Sequence, residues 1–271
     1  MSATAVQVRG SAERPPGGWT TVCVQELREL WLGGRGLALA LAFSLLLSVI
    51  AYLTATNEAL NFLEQRESVN LTLQVAIAVG GLLALLAAAD TVSGERERGT
   101  LESMLLTPVS RLAITVGKLV APLSLWLAAF AITVPYVWFL GRGIGIVDDA
   151  LVTGFVVGTL IAIFLASLGV IVSVFANSNR VSLSVSLFLL LALYAPTQLP
   201  SSAQRGWAGE LLLKVNPVTA GEHYVGKIVV SAHPWSQDAS WLLAPAVAAT
   251  ALACVAAVVG ARSIRLRRGV T

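Results

Sequence analysis

Six continuous apolar stretches, each long enough to cross a bilayer, constrain this chain more than any other feature: residues 36–56, 71–90, 119–140, 150–176, 181–199 and 239–261. A hydrocarbon core of about 30 Å takes about 20 residues of α-helix at 1.5 Å each. Lipid offers backbone amides no hydrogen-bond partners, so a crossing segment must be a helix or a strand of a closed barrel. Barrel strands alternate apolar and polar residues over about ten positions, and these stretches do not. The sequence therefore predicts an all-α polytopic membrane protein with six transmembrane helices. Composition agrees, since 56% hydrophobic and 12% charged residues leave too little polar surface for a water-facing globule. Disorder, a disulfide scaffold and a soluble nucleic-acid binder are excluded, and no nucleic-acid partner is expected.

Positive charge orients the spans. Thirteen of the eighteen Lys and Arg residues fall in one alternate set of loops and tails, the remaining five in the other. With an even number of spans, this bias places both termini in the cytoplasm of a multi-pass protein of the inner (plasma) membrane. About 35 residues including Glu13, Glu26 and Glu29 precede the first span, too long and too acidic for a signal peptide. The expected organisation is a cytoplasmic tail (1–18), an amphipathic helix (19–35), a six-span domain (36–261) and a basic cytoplasmic tail (262–271). Cys23 and Cys254 lie in distant apolar segments without metal or redox spacing, and both are expected to be reduced.

The segments outside the spans carry more specific signals. Trp19, Val22, Cys23, Leu27, Leu30 and Trp31 form a stripe at helical period, with Gln25, Glu26, Arg28 and Glu29 filling the rest. Gly33 and Gly34 then break the helix. A helix lying in the interface, with its tryptophans at headgroup depth, fits that pattern. Between the second and third spans (93–111), the charges Glu95, Arg96, Glu97, Arg98 and Glu102 surround Gly99 and Thr100, followed by apolar Leu101, Met104 and Leu105. An apolar patch flanked by charge is a docking surface for a soluble partner. Gly94 and Gly99 do not make a phosphate-binding loop, because Thr100-Leu101 stands where Lys and then Ser or Thr are required. Residues 200–238 are too apolar for a solvated loop and too interrupted by Pro217, Gly221 and Gly226 for a span, so one or two short helices dipping into the outer leaflet are expected. His223 and His233, ten residues apart, carry no metal signature. Asp90 is the only acidic residue inside an expected span, and it sits at the cytoplasmic end, whereas a proton-coupled carrier would keep ionisable groups at mid-membrane. No catalytic constellation emerges.

Three of these stretches resemble the permease subunits of the ABC type-2 transporter family. Gln25-Glu26-Leu27-Arg28-Glu29-Leu30 with Arg35 is similar to that family's elbow helix. Gly94 through Glu102, with Thr107-Pro108 and Gly117-Lys118, resembles its most recognisable stretch. Asn216-Pro217-Val218-Thr219 resembles the Asn-Pro motif before its last span. The resemblance implies an exporter permease fold that forms the translocation pathway as a homo- or heterodimer. It implies two copies of a separate ATPase subunit that bind ATP and Mg, since this chain carries no Walker or signature motif. It also assigns the region after the second span to coupling with that ATPase.

On this reading the chain is no enzyme itself. Two rivals follow from the same sequence: a membrane scaffold or assembly factor that moves nothing, and a proton-coupled secondary carrier. The resemblance implies that the elbow and the coupling region lie close together, so Glu26 and Glu29, three apart on one flank of the elbow helix, either pair with Arg96 and Arg98 or, like them, face water and lipid headgroups.

Overall fold

The computed structural model describes residues 18–55, 62–100, 109–198 and 206–263, and every regular element among them is helical. Leu101, Glu102, Met104 and Leu105 lie outside the described residues, as do residues 1–17 and 264–271 of the expected tails. In chain order the helices are α1 (Gly18–Leu32), α2 (Arg35–Ala55), α3 (Phe62–Asp90), α4 (Ser93–Arg98), α5 (Arg111–Gly141), α6 (Val147–Phe175), α7 (Asn179–Tyr194), α8 (Trp207–Val215), α9 (Pro217–Val229) and α10 (Leu243–Ser263). Short 3₁₀ turns at Ala195–Gln198 and Ala239–Leu242 extend α7 and precede α10. Six of these helices (α2, α3, α5, α6, α7 and α10) are long and apolar enough to cross a membrane.

The third long helix begins at Arg111, well before the apolar run that defines it in the sequence. Ser110 starts it: its backbone is extended and its Oγ accepts the Ala113 N–H at 3.2 Å, satisfying one of the four orphan donors of a helix start. The resulting 31 residues span about 46 Å, well beyond a core of about 30 Å. The surplus turns carry Gly117 and Lys118 to the start of the chain, where α1 packs across them. That crossing needs Gly117, because a Cβ there would stand 2.7 Å from Val22 Cγ1 and 3.1 Å from the Cys23 nitrogen. Trp31 ties the far end of α1 down, donating Nε1–H to Ser124 Oγ at 3.0 Å.

Helices α3 and α6 form the centre, with α5, α9 and α10 packed on them. Trp126 of α5 is buried at their junction among Ile77 and Ile161. Its ring lies over Gly80 and Gly158, and its Nε1–H donates to Thr159 Oγ1 at 3.1 Å, so this large side chain is buried with its one polar atom satisfied. Helices α2, α7 and α10 form the periphery and expose most of their apolar surface. On α2 the exposed leucines Leu37, Leu41 and Leu45 recur every four residues along one face. At the opposite end of the bundle from α1 and α4, α9 folds over α3 and α6, and α8 packs on α9 and on the 3₁₀ turn after α7. Asn216 starts α9: its Oδ1 accepts the Val218 N–H at 3.0 Å and its Nδ2 donates to the Leu193 carbonyl at 2.7 Å. Pro217 follows at the first helical position, where its missing N–H costs nothing.

Candidate functional site

The polar chemistry of the described residues converges where α1, α4 and the beginning of α5 meet. Lys118 is fully buried, and its three N–H donors are all used: Glu26 Oε1 at 2.6 Å, Glu95 Oε1 at 2.5 Å and the Thr91 carbonyl at 3.0 Å. One ammonium thus joins the elbow helix, the short helix α4 and the end of α3. Both carboxylates are largely buried, and Glu95 Oε2 has no hydrogen-bond partner among the described residues.

A second knot lies beside it. Asp90, the last residue of α3, has a side chain only 8% exposed and receives Arg35 at 2.8 Å and Arg98 at 3.7 Å on the same oxygen, Oδ2. Gly94 makes room for it, because a Cβ there would collide with Oδ1.

Helix α4 is also fastened to the turn between α6 and α7. Ser173 Oγ accepts the N–H groups of Val92 and Ser93 at 3.0 and 2.9 Å, satisfying two donors at the start of α4. Arg96 donates to the carbonyls of Ala176 and Val174 at the end of α6, a cation at the negative end of a helix. Glu97 Oε2 accepts the Asn179 N–H at 3.2 Å at the start of α7, an anion at the positive end of the next. Gly99 closes α4 in the left-handed conformation at φ 73°, and Thr100 returns its N–H to the Glu95 carbonyl at 3.0 Å.

The residues singled out in the sequence are therefore gathered here in part, with different partners. The pairing of Arg96 and Arg98 with the elbow glutamates, one of the two readings, is corrected: Arg96 turns to backbone carbonyls and Arg98 to Asp90, while Glu26 takes Lys118. Glu29 accepts Gln25 Nε2–H at 3.3 Å, and Arg28 is exposed on the outer flank of α1. Asn216 and Pro217 belong to the far end of the molecule. Sequence reasoning missed Lys118, Arg35 and Ser173 as members of the site. The signal for Glu26 was present, since it lies four residues after Val22 and so on the buried side of α1.

Burial at the far end acts on three titratable groups of α9. It pushes the Glu222 carboxyl up to about 7 and the Tyr224 phenol upward, and lowers His223, with Lys227 adding to the last effect. His223 also stacks on Trp241 at 4.1 Å between ring centroids, and His233 contacts Asp238 at 2.7 Å. No group of three or more metal-ligating side chains occurs among the described residues.

A six-helix bundle with a paired, buried charge cluster at one end has the form of a membrane permease. The model for the ABC-2 family transporter protein matches residues 25–259, and the chain belongs to that family. It is thus the multi-pass membrane component of a transporter, in a family whose permeases generally work with an ABC ATPase. No curated protein matches it.

Proposed function

We propose that this chain is the permease of an ATP-driven exporter, working as a dimer with two copies of a separate ATPase subunit that bind ATP and Mg. The α4 end faces the cytoplasm on this reading, as the sorting of positive charge favours, and the ATPase docks on α4 and the residues that follow it. One observation carries the assignment: a helix of six residues, Ser93–Arg98, is fastened at once to α1, α3, α5, α6 and α7. A push on α4 therefore reaches most of the bundle, as alternation between two packings driven by ATP requires. Glu95 and Glu26 hold α4 and α1 on Lys118, whereas Arg96, Glu97 and Ser173 carry displacement to the α6–α7 turn.

The test is reconstitution of the chain with its ATPase in lipid vesicles. ATP hydrolysis by the complex should rise when the permease is present. Replacing Leu101 and Leu105 with Asp should remove that stimulation while the permease still inserts, because charge would enter a desolvated contact. Full co-purification and full stimulation of that variant would overturn the coupling assignment. Cysteines at Ser2 and Thr271 should be shielded from an impermeant thiol reagent in intact cells, and one at Ser202 labelled.

A further inference from the structure

Between α1, α2, the end of α3, α4, the start of α5 and α7 lies a cavity of about 560 Å³, within the range of small-ligand sites. Its walls divide by chemistry. One part is apolar, with Leu30, Leu39, Leu86 and Leu183, and the other holds Glu26, Glu29, Arg35, Asp90, Glu95 and Arg98. The charged part is unbalanced in two opposite ways. Lys118 serves two carboxylates, Glu26 and Glu95, and Glu29 adds a third, so this side is short of positive charge and the buried Glu95 Oε2 has no partner among the described residues. Asp90 meets two guanidiniums on its Oδ2 alone, its buried Oδ1 having no hydrogen-bond partner among the described residues, so cations outnumber the anion on that side, and the Arg35 and Arg98 side chains are 62% and 53% exposed, with donors to spare.

We propose that this cavity binds the headgroup of a zwitterionic aminophospholipid. The phosphate lies against Arg35 and Arg98, the primary ammonium against Glu29 and the glutamates that share Lys118, and the acyl chains along the leucine wall. Each half of such a headgroup supplies the charge that its side of the cavity lacks. Guanidinium pairs suit phosphate oxygens. A primary ammonium brings three N–H donors, whereas a trimethylated one brings none. The leaflet, which would be the cytoplasmic one, rests on the orientation proposed above; the chemistry of the site does not.

The full chain, purified in detergent, is titrated with short-chain phosphatidylethanolamine, phosphatidylcholine and phosphatidylglycerol, and binding is read by native mass spectrometry. Phosphatidylethanolamine should bind about tenfold more tightly than the other two, the size of one charge-assisted hydrogen-bond set. Glu29→Gln, which keeps an oxygen to accept from Gln25, should bring phosphatidylethanolamine down toward phosphatidylcholine and leave phosphatidylglycerol unweakened. Arg98→Gln should weaken all three, and Arg98→Lys, which keeps the Asp90 pair, should restore most of the loss. Equal binding of the three lipids by the unaltered protein would reduce the effect to ordinary boundary lipid and overturn the proposal. A preference that survives both Glu29→Gln and Arg98→Gln would overturn it too. No ATPase enters the experiment, so a permease that fails to stimulate one overturns the proposed function and leaves this site standing.

Discussion

The two ends of the bundle solve the same problem, polar groups among apolar helices, by opposite means. At the α4 end the groups are charged and each meets an opposite charge: Lys118 meets Glu26 and Glu95, Asp90 meets Arg35 and Arg98, and Arg96 and Glu97 sit on two helix termini. At the α9 end the bonds are mostly to neutral partners. Arg66 donates to the Val229 carbonyl at 3.1 Å, Tyr224 to the Trp235 carbonyl at 3.0 Å, and Asn216 bridges α7 and α9. The partly buried carboxyl there, Glu222, meets its surroundings by holding its proton up to about 7. A buried ion such as Lys118, held by opposite charges, is costly to strip of its partners. A carboxyl that is neutral when buried makes its end of the molecule responsive to pH instead.

Breaking the Lys118 contacts should give the largest effect. Lys118→Met would leave Glu26 and Glu95 buried without a cation, at a cost of about 3–5 kcal/mol, seen as a collapse of the melting temperature in detergent. The triple variant Lys118→Met, Glu26→Gln, Glu95→Gln removes the stranded charges and should regain much of that loss. Equal instability of the single and triple variants would show that the charges are not what matters at this end.

Next in size is the pH response of the far end. Because the folded-state pKa of Glu222 is raised from 4.5 to about 7, its contribution is fully present below the unfolded value and is lost as pH rises between the two. The loss amounts to at most about 3 kcal/mol. Melting curves from pH 4.5 to 7.5 should show stability falling across that window, and Glu222→Gln should flatten the fall. An unchanged slope in that variant would assign the response to other groups.

Smaller losses should distinguish the two ends in function as well as stability. Ser173→Ala would strand two N–H groups of α4, at about 2 kcal/mol. Because Ser173 joins α4 to α6, it should also reduce ATPase stimulation, read on the reconstituted complex at equal permease content. Asn216→Ala removes an N-cap at the far end, a loss of about 1 kcal/mol that should appear in melting while stimulation by the permease stays near normal. A matching loss of stimulation in Asn216→Ala would mean that the two ends are more tightly linked than their contacts imply.

Much of the fold can be read from the chain before any contact is known. A run such as 150–176 has one stable form in lipid, and the six runs reappear as six long helices. The ends are harder, and Lys118 shows why. Taken from hydropathy alone, the third span starts after it and the lysine is one more loop charge. In the folded protein Ser110 caps the helix seven residues before Gly117, so Lys118 is an interior helical residue facing α1. Capping and propensity decided where the helix begins, and a hydropathy window is blind to both.

What the sequence determined by itself is therefore whatever depends on solvent: the number of spans, their helical form and the sorting of charge between the two ends. Each follows from the cost of exposing backbone or charge to lipid, a cost each segment meets alone. Partnership was decided only in the tertiary structure. Glu26 and Arg96 carry opposite charges at one end of the bundle, and nothing in their order along the chain separates them from a pair. They are kept apart because Gly117 lets α1 sink onto α5, bringing Glu26 to Lys118, while the close of α6 offers Arg96 two carbonyls. Packing sets which charges meet, because the interhelical approach depends on the volume of residues that lie far apart in the sequence.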